Sequence, residues 1–161
     1  MNTAYLLLGT NLGDRLINLR NAINHINKDC GKVVSLSSIY ETAPWGFTEQ
    51  DNFLNQVIIL NTQLEPTALM EKLLSIEVEM GRIRTIKLGP RIIDIDILLI
   101  DSKVVNNDTL TLPHPELANR RFALIPLAEV ASDIMHPVLH NTISQLLETC
   151  TDTGEVKNYR G

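Results

Sequence analysis

The chain has 161 residues, of which 44% are hydrophobic and 20% charged, and its net charge is −5 at neutral pH. This length and balance predict one soluble globular domain spanning residues 1–161, expected in the cytoplasm, and the acidic charge argues against nucleic-acid binding. No apolar run is long enough to span a membrane and no secretory signal is expected, so membranes are excluded as partners.

The first two thirds of the chain reads as four strands and two amphipathic helices. Helices are indicated where apolar residues recur every three or four positions, and strands where short branched apolar runs are bounded by glycine, proline or polar residues. The predicted order is a strand at 4–8, a helix at 14–27, strands at 33–40 and 53–60, a helix from Pro66 to Gly81, and a strand at 92–100. This is the ferredoxin-like split β-α-β arrangement, with an antiparallel sheet and both helices on one face.

The last third of the chain predicts a second helical layer. Val104–Val105 and Leu110–Leu112 are expected to pair as a small hairpin. Residues 116–130 and 141–149 read as helices that cover the other face of the sheet, with a break or kink at Pro126. The predicted fold class is therefore α/β (α+β), a three-layer sandwich around an antiparallel sheet, with a ferredoxin-like core and additional C-terminal helices.

A glycine-containing turn, Gly9-Thr10-Asn11-Leu12-Gly13, follows the first strand, where phosphate-binding loops occur. The Walker pattern needs lysine and then serine or threonine after its second glycine, whereas Asp14 and Arg15 follow Gly13. We therefore interpret this segment as a tight turn with a capped helix start.

Two aspartates lie two residues apart in the last strand of the predicted core. Residues i and i+2 of a strand point to the same face, so Asp94 and Asp96 would project together, with the odd-numbered residues up to Leu99 on the opposite face. An Asp-x-Asp on a wet strand face is by itself weak evidence for a metal site. Like charges side by side nevertheless call for cations, and several basic residues precede the pair: Arg82, Arg84, Lys87 and Arg91. Carboxylates beside such a cluster suggest magnesium and phosphate.

Aromatic and polar side chains elsewhere are candidates for binding a heterocycle. Phe53 and Asn55 share a face of the third strand; the buried amide needs partners and could read the edge of a ring system, while an aromatic ring stacks on its flat face. Phe122 could supply a second ring, although core packing is the simpler interpretation of a phenylalanine alone. His114 lies in a rigid Pro-His-Pro turn shortly before Arg120, where phosphate contact is plausible.

The octapeptide Gly-Pro-Arg-Ile-Ile-Asp-Ile-Asp at 89–96 is one of several motifs spread over nearly the whole chain. The others are Gly9-Thr10-Asn11-Leu12-Gly13, Tyr40-Glu41-Thr42-Ala43-Pro44, Phe53-Leu54-Asn55, Glu77, Gly81-Arg82-Ile83-Arg84, Leu112-Pro113-His114-Pro115 and Asn119-Arg120-Arg121-Phe122. Together, and in this order, they resemble the 6-hydroxymethyl-7,8-dihydropterin pyrophosphokinase family of folate biosynthesis. The family's ferredoxin-like α/β sandwich agrees with the predicted order of elements.

The resemblance implies transfer of a pyrophosphoryl group from ATP to the hydroxymethyl group of the dihydropterin, with release of AMP. Asp94 and Asp96 would hold two Mg²⁺ ions that bridge the ATP phosphates and the pterin hydroxyl. Arg82 and Arg91 would bind the phosphates and stabilise charge during transfer, because a guanidinium stays charged and can bind phosphate in bidentate fashion. The other nucleotide contacts implied are Arg84, His114 and Arg120 for the phosphates, and Ile97 and Thr111, largely through backbone groups, for the adenine.

On the acceptor side, the resemblance implies that Asn55 reads the pterin edge, helped by backbone groups near Thr42 and Trp45. The pterin ring would lie between Phe53 and Phe122. ATP and the pterin are the only partners expected. The chain is expected to act as a monomer, because the apolar stripes of its helices are expected to be fully buried within one domain.

The basic segment at 81–90 departs from the family pattern at two positions. Leu88 stands where relatives often have an aromatic residue, and Lys87 where some have arginine. The segment is polar and has glycine near both ends, so we expect it to be mobile without ligands and to close over bound substrates.

Two other interpretations use the same residues. A magnesium-dependent nucleotidyltransferase would use the aspartate pair to transfer the α-phosphorus and would release pyrophosphate instead of AMP. A non-catalytic nucleotide- or pterin-binding module is also compatible with a ferredoxin-like fold, although binding alone needs no two-metal clamp. The reaction products separate the three interpretations.

Overall fold

The computed structural model describes residues 1–44, 49–82 and 90–160. In chain order the elements within these ranges are β1 (Asn2–Thr10), α1 (Arg15–Asp29), β2 (Lys32–Leu36), β3 (Tyr40–Thr42), β4 (Phe53–Thr62), α2 (Pro66–Glu79), β5 (Asp94–Ile100), β6 (Val105–Asn106), β7 (Thr111–Leu112), α3 (Arg121–Ala131), α4 (Ile143–Thr149) and β8 (Val156–Asn158). A short 3-10 helix, Leu117–Asn119, precedes α3. None of the helices in the described ranges has the length and apolar character that crossing a membrane requires.

Six strands form one antiparallel sheet. The strands β5, β1, β4, β3 and β8 are neighbours in that order, and β2 pairs with β4 next to β3. The core order β5-β1-β4-β2 is that of the predicted ferredoxin-like arrangement, which is confirmed. At the end of β1, Gly9 lies opposite Asn55 of β4 on one side and Asp94 of β5 on the other. This register brings the two aspartates and the predicted heterocycle-binding strand to the same end of the sheet.

Two apolar cores lie on opposite faces of the sheet, as the three-layer prediction requires. Alternate residues of β1 face opposite ways: Leu6 and Leu8 pack with α1 and α2, whereas Tyr5 and Leu7 pack with α3 and α4. The start of α1 is capped as expected, because the Asp14 carboxylate accepts the Ile17 N–H at 3.2 Å. The aspartates of β5 therefore lie on the face covered by the C-terminal helices.

The strand predicted at 33–40 is two strands, β2 and β3, which pair with different parts of β4. The interruption lies at Ser37, whose hydroxyl accepts the Val57 N–H at 2.9 Å in place of a backbone carbonyl. Beyond it, the N–H and hydroxyl of Ser38 and the hydroxyl of Tyr40 all donate to the Glu129 carboxylate on α3. Side-chain hydrogen bonds thus divide a run whose composition alone favours one strand.

Beyond Ile97, the side chains of β5 do not point to the faces of the sheet that were predicted. Leu6 pairs with Ile97 and Tyr5 with Leu99, so Leu98 is an extra residue in a β-bulge. Leu98 and Leu99 consequently both join the α3–α4 core, whereas Ile97 joins the α1–α2 core. The expectation that Leu99 faces away from the aspartates was wrong, because the bulge reverses the alternation.

The C-terminal third also differs in detail. The helix predicted at 116–130 is divided at Arg120, whose backbone is extended (φ −119°, ψ 98°). Pro126 does not break α3, which continues to Ala131. The hairpin of β6 and β7 is confirmed by the pairing of Val105 with Leu112, whereas β8 has no counterpart in the prediction.

Candidate active site

A cleft with about 490 Å³ of empty space, part of it open to solvent, lies at the end of the sheet where β1, β4 and β5 meet, on the face covered by α3. Eight residues predicted from the sequence line it: Thr42, Phe53, Asn55, Arg91, Asp94, Asp96, Arg120 and Phe122. Leu7, Gly9 and Ala43 complete the lining. The fold therefore brings together side chains from four separate segments that the sequence analysis had singled out.

The aspartate pair projects into this cleft from one face of β5, as predicted. Arg82 Nη1 donates to Asp94 Oδ1 at 2.7 Å, and Arg91 Nε lies 3.5 Å from Asp94 Oδ2. Both arginines are largely buried, with 11% and 14% of their side chains exposed. The cations expected beside the carboxylates are thus present, and they contact Asp94.

Asp96 lies deeper in the cleft. Burial raises its pKa to about 7, and the negative charge of Asp94 adds to the increase, whereas Arg120 opposes it. A carboxylate that is hard to ionise beside another carboxylate is stabilised as an anion by a cation bound between them. The two carboxylates on one strand face offer oxygen atoms as metal ligands, and Mg²⁺ prefers oxygen ligands.

The raised pKa of Asp96 predicts how stability of the ligand-free protein depends on pH. Because the pKa is about 7 in the fold against an ordinary 3.8, ionisation of Asp96 opposes folding increasingly between those two pH values and by a constant amount above pH 7. Asp96→Asn removes this effect. We expect the variant to match wild type near pH 4 and to be more stable at pH 8 by about 1–2 kcal/mol, allowing for partial solvent screening.

Urea denaturation of both proteins in the presence of EDTA, at several pH values between these limits, measures the difference in the free energy of unfolding. A difference that does not change with pH would contradict the raised pKa.

Arg82 is held by a buried carboxylate that we did not assign to the site from the sequence. Glu77 on α2, with 3% of its side chain exposed, places Oε1 3.0 Å from Arg82 Nη1. Its Oε2 accepts the Ile95 N–H of β5 at 2.8 Å. Glu77 therefore ties α2, β5 and Arg82 together. Its signal in the sequence is a carboxylate within the apolar stripe of α2, between Leu73 and Met80.

Asn11 holds the backbone of Arg91 in place through two hydrogen bonds. It is 2% exposed; its Oδ1 accepts the Arg91 N–H at 2.9 Å, and its own N–H donates to the Arg91 carbonyl at 3.1 Å. The glycine-containing turn at 9–13 thus fixes the backbone at the mouth of β5. The Arg91 guanidinium then lies over the Phe53 ring, 4.8 Å from its centroid.

The other half of the cleft is built around a buried amide. Asn55 is 3% exposed, and its Nδ2 donates to Thr42 Oγ1 at 2.6 Å. This hydrogen bond fixes the orientation of the amide, whose remaining donor and acceptor can bind a ligand. The Thr42 side chain, rather than only the backbone near it, contributes here. Phe53 and Phe122 line the same cleft.

His114 and Arg120 lie at the edge of the carboxylate half. Burial lowers the pKa of His114, and the charge of Arg120 lowers it further. His114 Nδ1 accepts the Glu116 N–H at 3.1 Å, so in the neutral ring the hydrogen is on Nε2. The imidazole is therefore a neutral hydrogen-bond donor. The Arg120 guanidinium stacks near the Phe122 ring, 5.7 Å from its centroid.

The structure does not bring the predicted adenine contacts into the cleft through their side chains. Ile97 is 2% exposed and its side chain is part of the α1–α2 core, and Thr111 is exposed on β7. A contact through backbone groups remains a prediction for both. Trp45, Arg84, Lys87 and Leu88 lie outside the described residues, as does most of the basic segment predicted to close over substrates.

Residues 5–132 match the family model described as 7,8-dihydro-6-hydroxymethylpterin-pyrophosphokinase. A 2-amino-4-hydroxy-6-hydroxymethyldihydropteridine pyrophosphokinase from Methylorubrum extorquens is 45% identical over 136 residues, covering 84% of this chain and 86% of the relative. The enzyme of the same name from Aquifex aeolicus is 39% identical over 145 residues, with 90% of each chain covered.

Longer proteins also contain a similar region. The folic acid synthesis protein FOL1 of Dictyostelium discoideum is 37% identical over 157 residues, which are 98% of this chain and 24% of that protein. A solved HPPK-DHPS triple mutant from Plasmodium falciparum, in complex with pteroate, aligns with a TM-score of 0.73 at 18% identity, covering 91% of this chain and 43% of that one. This likeness supports the fold, and the chain spans less than half of that protein.

Proposed function

The chain belongs to the 7,8-dihydro-6-hydroxymethylpterin-pyrophosphokinase family and is an ATP-dependent pyrophosphokinase of folate biosynthesis, and on that premise we propose its substrates and mechanism. It transfers the pyrophosphoryl group of ATP to the hydroxymethyl group of 6-hydroxymethyl-7,8-dihydropterin, and it releases AMP. The observation that carries the proposal is one cleft lined by a carboxylate pair with arginines and by a buried amide with two phenylalanines.

The amide half of the cleft is the proposed pterin site. The heterocycle lies between Phe53 and Phe122, and Asn55 hydrogen-bonds to its edge. Because Thr42 holds the amide in one orientation, a ring that presents the complementary donor and acceptor is preferred over one that does not. A buried polar group left unpaired by the wrong ligand would weaken its binding.

Gly9 provides a test of this half. A Cβ at Gly9 would lie 3.1 Å from Asn55 Oδ1 and 3.7 Å from the Phe53 ring, and the Asn55 amide has little freedom to move because Thr42 holds it. We expect Gly9→Ala to weaken pterin binding about tenfold through a displaced hydrogen bond.

Titration of pterin fluorescence measures that loss. ATP affinity measured in parallel should remain within about twofold of wild type, because the added methyl group would meet Asn55 and Phe53 but neither aspartate. Unchanged pterin affinity would argue against Asn55 as the edge-reading residue, and an equal loss of both ligands would indicate general misfolding.

The carboxylate half is the proposed phosphate site. Asp94 and Asp96 would hold two Mg²⁺ ions, which when bound neutralise phosphate charge and orient the reacting oxygens. Arg82 shares its charge between Asp94 and Glu77. It would therefore stay anchored by Glu77 when the Asp94 oxygens bind metal, and its guanidinium would then donate to a phosphate. Arg91 is fixed at the mouth of β5 and donates from the opposite side.

The chemistry needs no protein nucleophile. The pterin hydroxymethyl oxygen attacks the β-phosphorus in line and forms a new oxygen–phosphorus bond. The bond from the β-phosphorus to the oxygen that bridges the α- and β-phosphates breaks, so that AMP leaves with that oxygen, and the hydroxyl proton passes to solvent. The residues contribute by holding the two substrates at the right distance and by stabilising the charge on the transferring group. Neutral His114 supplies a hydrogen bond at the edge of this site, and Arg120 supplies a further positive charge.

ATP and the pterin are the proposed partners, and the chain is proposed to act as a monomer in the cytoplasm. The two apolar cores cover the inward faces of α1 to α4, which supports a single chain as the folded unit. Sedimentation analysis at micromolar concentration measures the mass in solution directly.

Product analysis tests the reaction. The protein is mixed with ATP, Mg²⁺ and 6-hydroxymethyl-7,8-dihydropterin, and nucleotides and pterins are separated by chromatography. We expect AMP and pterin diphosphate in equal amounts, and only when both Mg²⁺ and pterin are present. Pyrophosphate release would assign the reaction to a nucleotidyltransferase, and binding without any product would assign a binding role.

A further inference from the structure

The helix that carries Phe122 begins without a side-chain cap from its own sequence. Its N-cap residue is Arg120, and a guanidinium has hydrogen-bond donors but no acceptor. The cap is supplied instead by Asp152, whose Oδ2 accepts the Arg121 N–H at 3.0 Å from a position 31 residues later in the chain. A carboxylate at a helix N-terminus both accepts an otherwise unpaired N–H and interacts favourably with the helix dipole.

The segment that contains Asp152 also contacts the opposite wall of the pterin site. The second carboxylate oxygen of Asp152, Oδ1, accepts the Gly154 N–H at 2.9 Å, and this hydrogen bond shapes the turn that leads into β8. Strand β8 then pairs with β3 so that Val156 lies opposite Thr42, the residue that orients the Asn55 amide. One short stretch, residues 152–158, is thus attached to both sides of the cleft.

The space behind the cleft makes this attachment important. A second pocket, partly open to solvent, shares Thr42, Ala43 and Phe122 with the cleft, and Asp152, Gly154 and Val156 are among its other lining residues. Phe122 and Thr42 therefore do not have a fully packed core on that side, and packing alone holds them less firmly. Their separation then depends on the hydrogen bonds made by residues 152–158.

We propose that residues 152–158 position the two walls of the pterin site, with Asp152 as the positioning residue for Phe122. The segment lies beyond residues 5–132, the part of the chain that the family model matches. Asp152 acts through the start of α3 and does not contact the reacting atoms. The proposal rests on the assignment of the cleft as the pterin site.

The test compares Asp152→Ala with a helix-cap variant in the same layer that does not line the cleft. Thr142 caps α4, where its hydroxyl accepts the Gln145 N–H at 3.2 Å. Both substitutions remove one helix cap, and Asp152→Ala also removes the hydrogen bond from the Gly154 N–H. Only the loss of Asp152 should change the site.

We expect Asp152→Ala to raise the KM for the pterin about fivefold, with the KM for ATP and kcat within about twofold of wild type. Asp152→Asn can keep the oxygen that accepts the Arg121 N–H but not the one that accepts the Gly154 N–H, so it should restore part of the pterin affinity. Thr142→Ala should leave the pterin KM unchanged. An unchanged pterin KM in Asp152→Ala, or an equal increase in Thr142→Ala, would overturn the proposal.

If Asp152→Ala fails to fold, Asp152→Ser takes its place, because the shorter side chain keeps a polar group but cannot reach the Arg121 N–H. A raised pterin KM then supports the proposal, and a wild-type KM overturns it. These measurements presuppose wild-type turnover of the pterin, so absence of that turnover would refute the proposed function instead.

Discussion

Asp96→Asn is expected to lower the rate of AMP formation roughly 10³-fold while the protein remains folded. Asp96 and Asp94 are the two carboxylates in the cleft, and burial with mutual repulsion already raises the pKa of Asp96 to about 7. An amide at this position cannot carry the negative charge that holds a divalent cation against the phosphates. The variant should also lose the Mg²⁺ dependence of ATP binding, which calorimetry can measure separately from turnover.

Asp101→Asn is the matched control for this loss. Asp101 is an exposed aspartate directly after the same strand, with φ of +46°, a backbone conformation that asparagine also tolerates. It should retain full activity. If Asp96→Asn turned over substrate at the wild-type rate, the assignment of the aspartate pair as the metal site would be wrong.

Arg82→Gln is expected to lower kcat by roughly 10³-fold, because a guanidinium that stabilises a transferring phosphoryl group typically contributes at least that factor. The Arg82 side chain is 11% exposed and is held between Asp94 at 2.7 Å and Glu77 at 3.0 Å. Its position is therefore set before substrate binds, and glutamine keeps some hydrogen bonding but no charge. Single-turnover measurement of AMP formation isolates the chemical step from product release.

Two further variants distinguish catalysis from stability at this position. Glu77→Gln removes the anchor but leaves the Arg82 charge, so we expect a smaller loss, about tenfold, through misplacement of the guanidinium. Arg20→Gln changes an exposed arginine on α1 and should have no effect. Equal losses for Arg82→Gln and Glu77→Gln, tracking their losses in melting temperature, would assign Arg82 a structural role alone.

The order of elements and the residues proposed for the main chemistry were readable from local patterns. Hydrophobic periodicity is a property of neighbouring residues, and it was enough to predict the ferredoxin-like core, the three layers and the facing of Asp94 and Asp96. Asn55 was recognisable because an amide in an apolar strand requires partners wherever it is buried. These inferences needed no knowledge of which segments meet.

The errors arose where a side chain or an extra residue changes a local pattern. Composition alone favours one strand at 33–40, and the Ser37 hydroxyl divides it by pairing with Val57, 20 residues away. The bulge at Leu98 reverses the facing of Leu99, because one extra residue opposite β1 moves every later side chain to the other face. Neither the Ser37–Val57 hydrogen bond nor the bulge at Leu98 could be identified without the register of the sheet.

The precision of the site depends on contacts between distant segments. Asn11 holds Arg91 across 80 residues, Glu77 reaches Ile95 across 18, and Asp152 caps the helix of Phe122 across 31. Such contacts produce no periodic pattern in the sequence, because a single hydrogen bond constrains one residue and not its neighbours. Residue types and spacing were therefore sufficient for the fold class and for the residues proposed to bind metal and phosphate, whereas the positions of the arginines and the walls of the proposed pterin site follow only from how the chain packs.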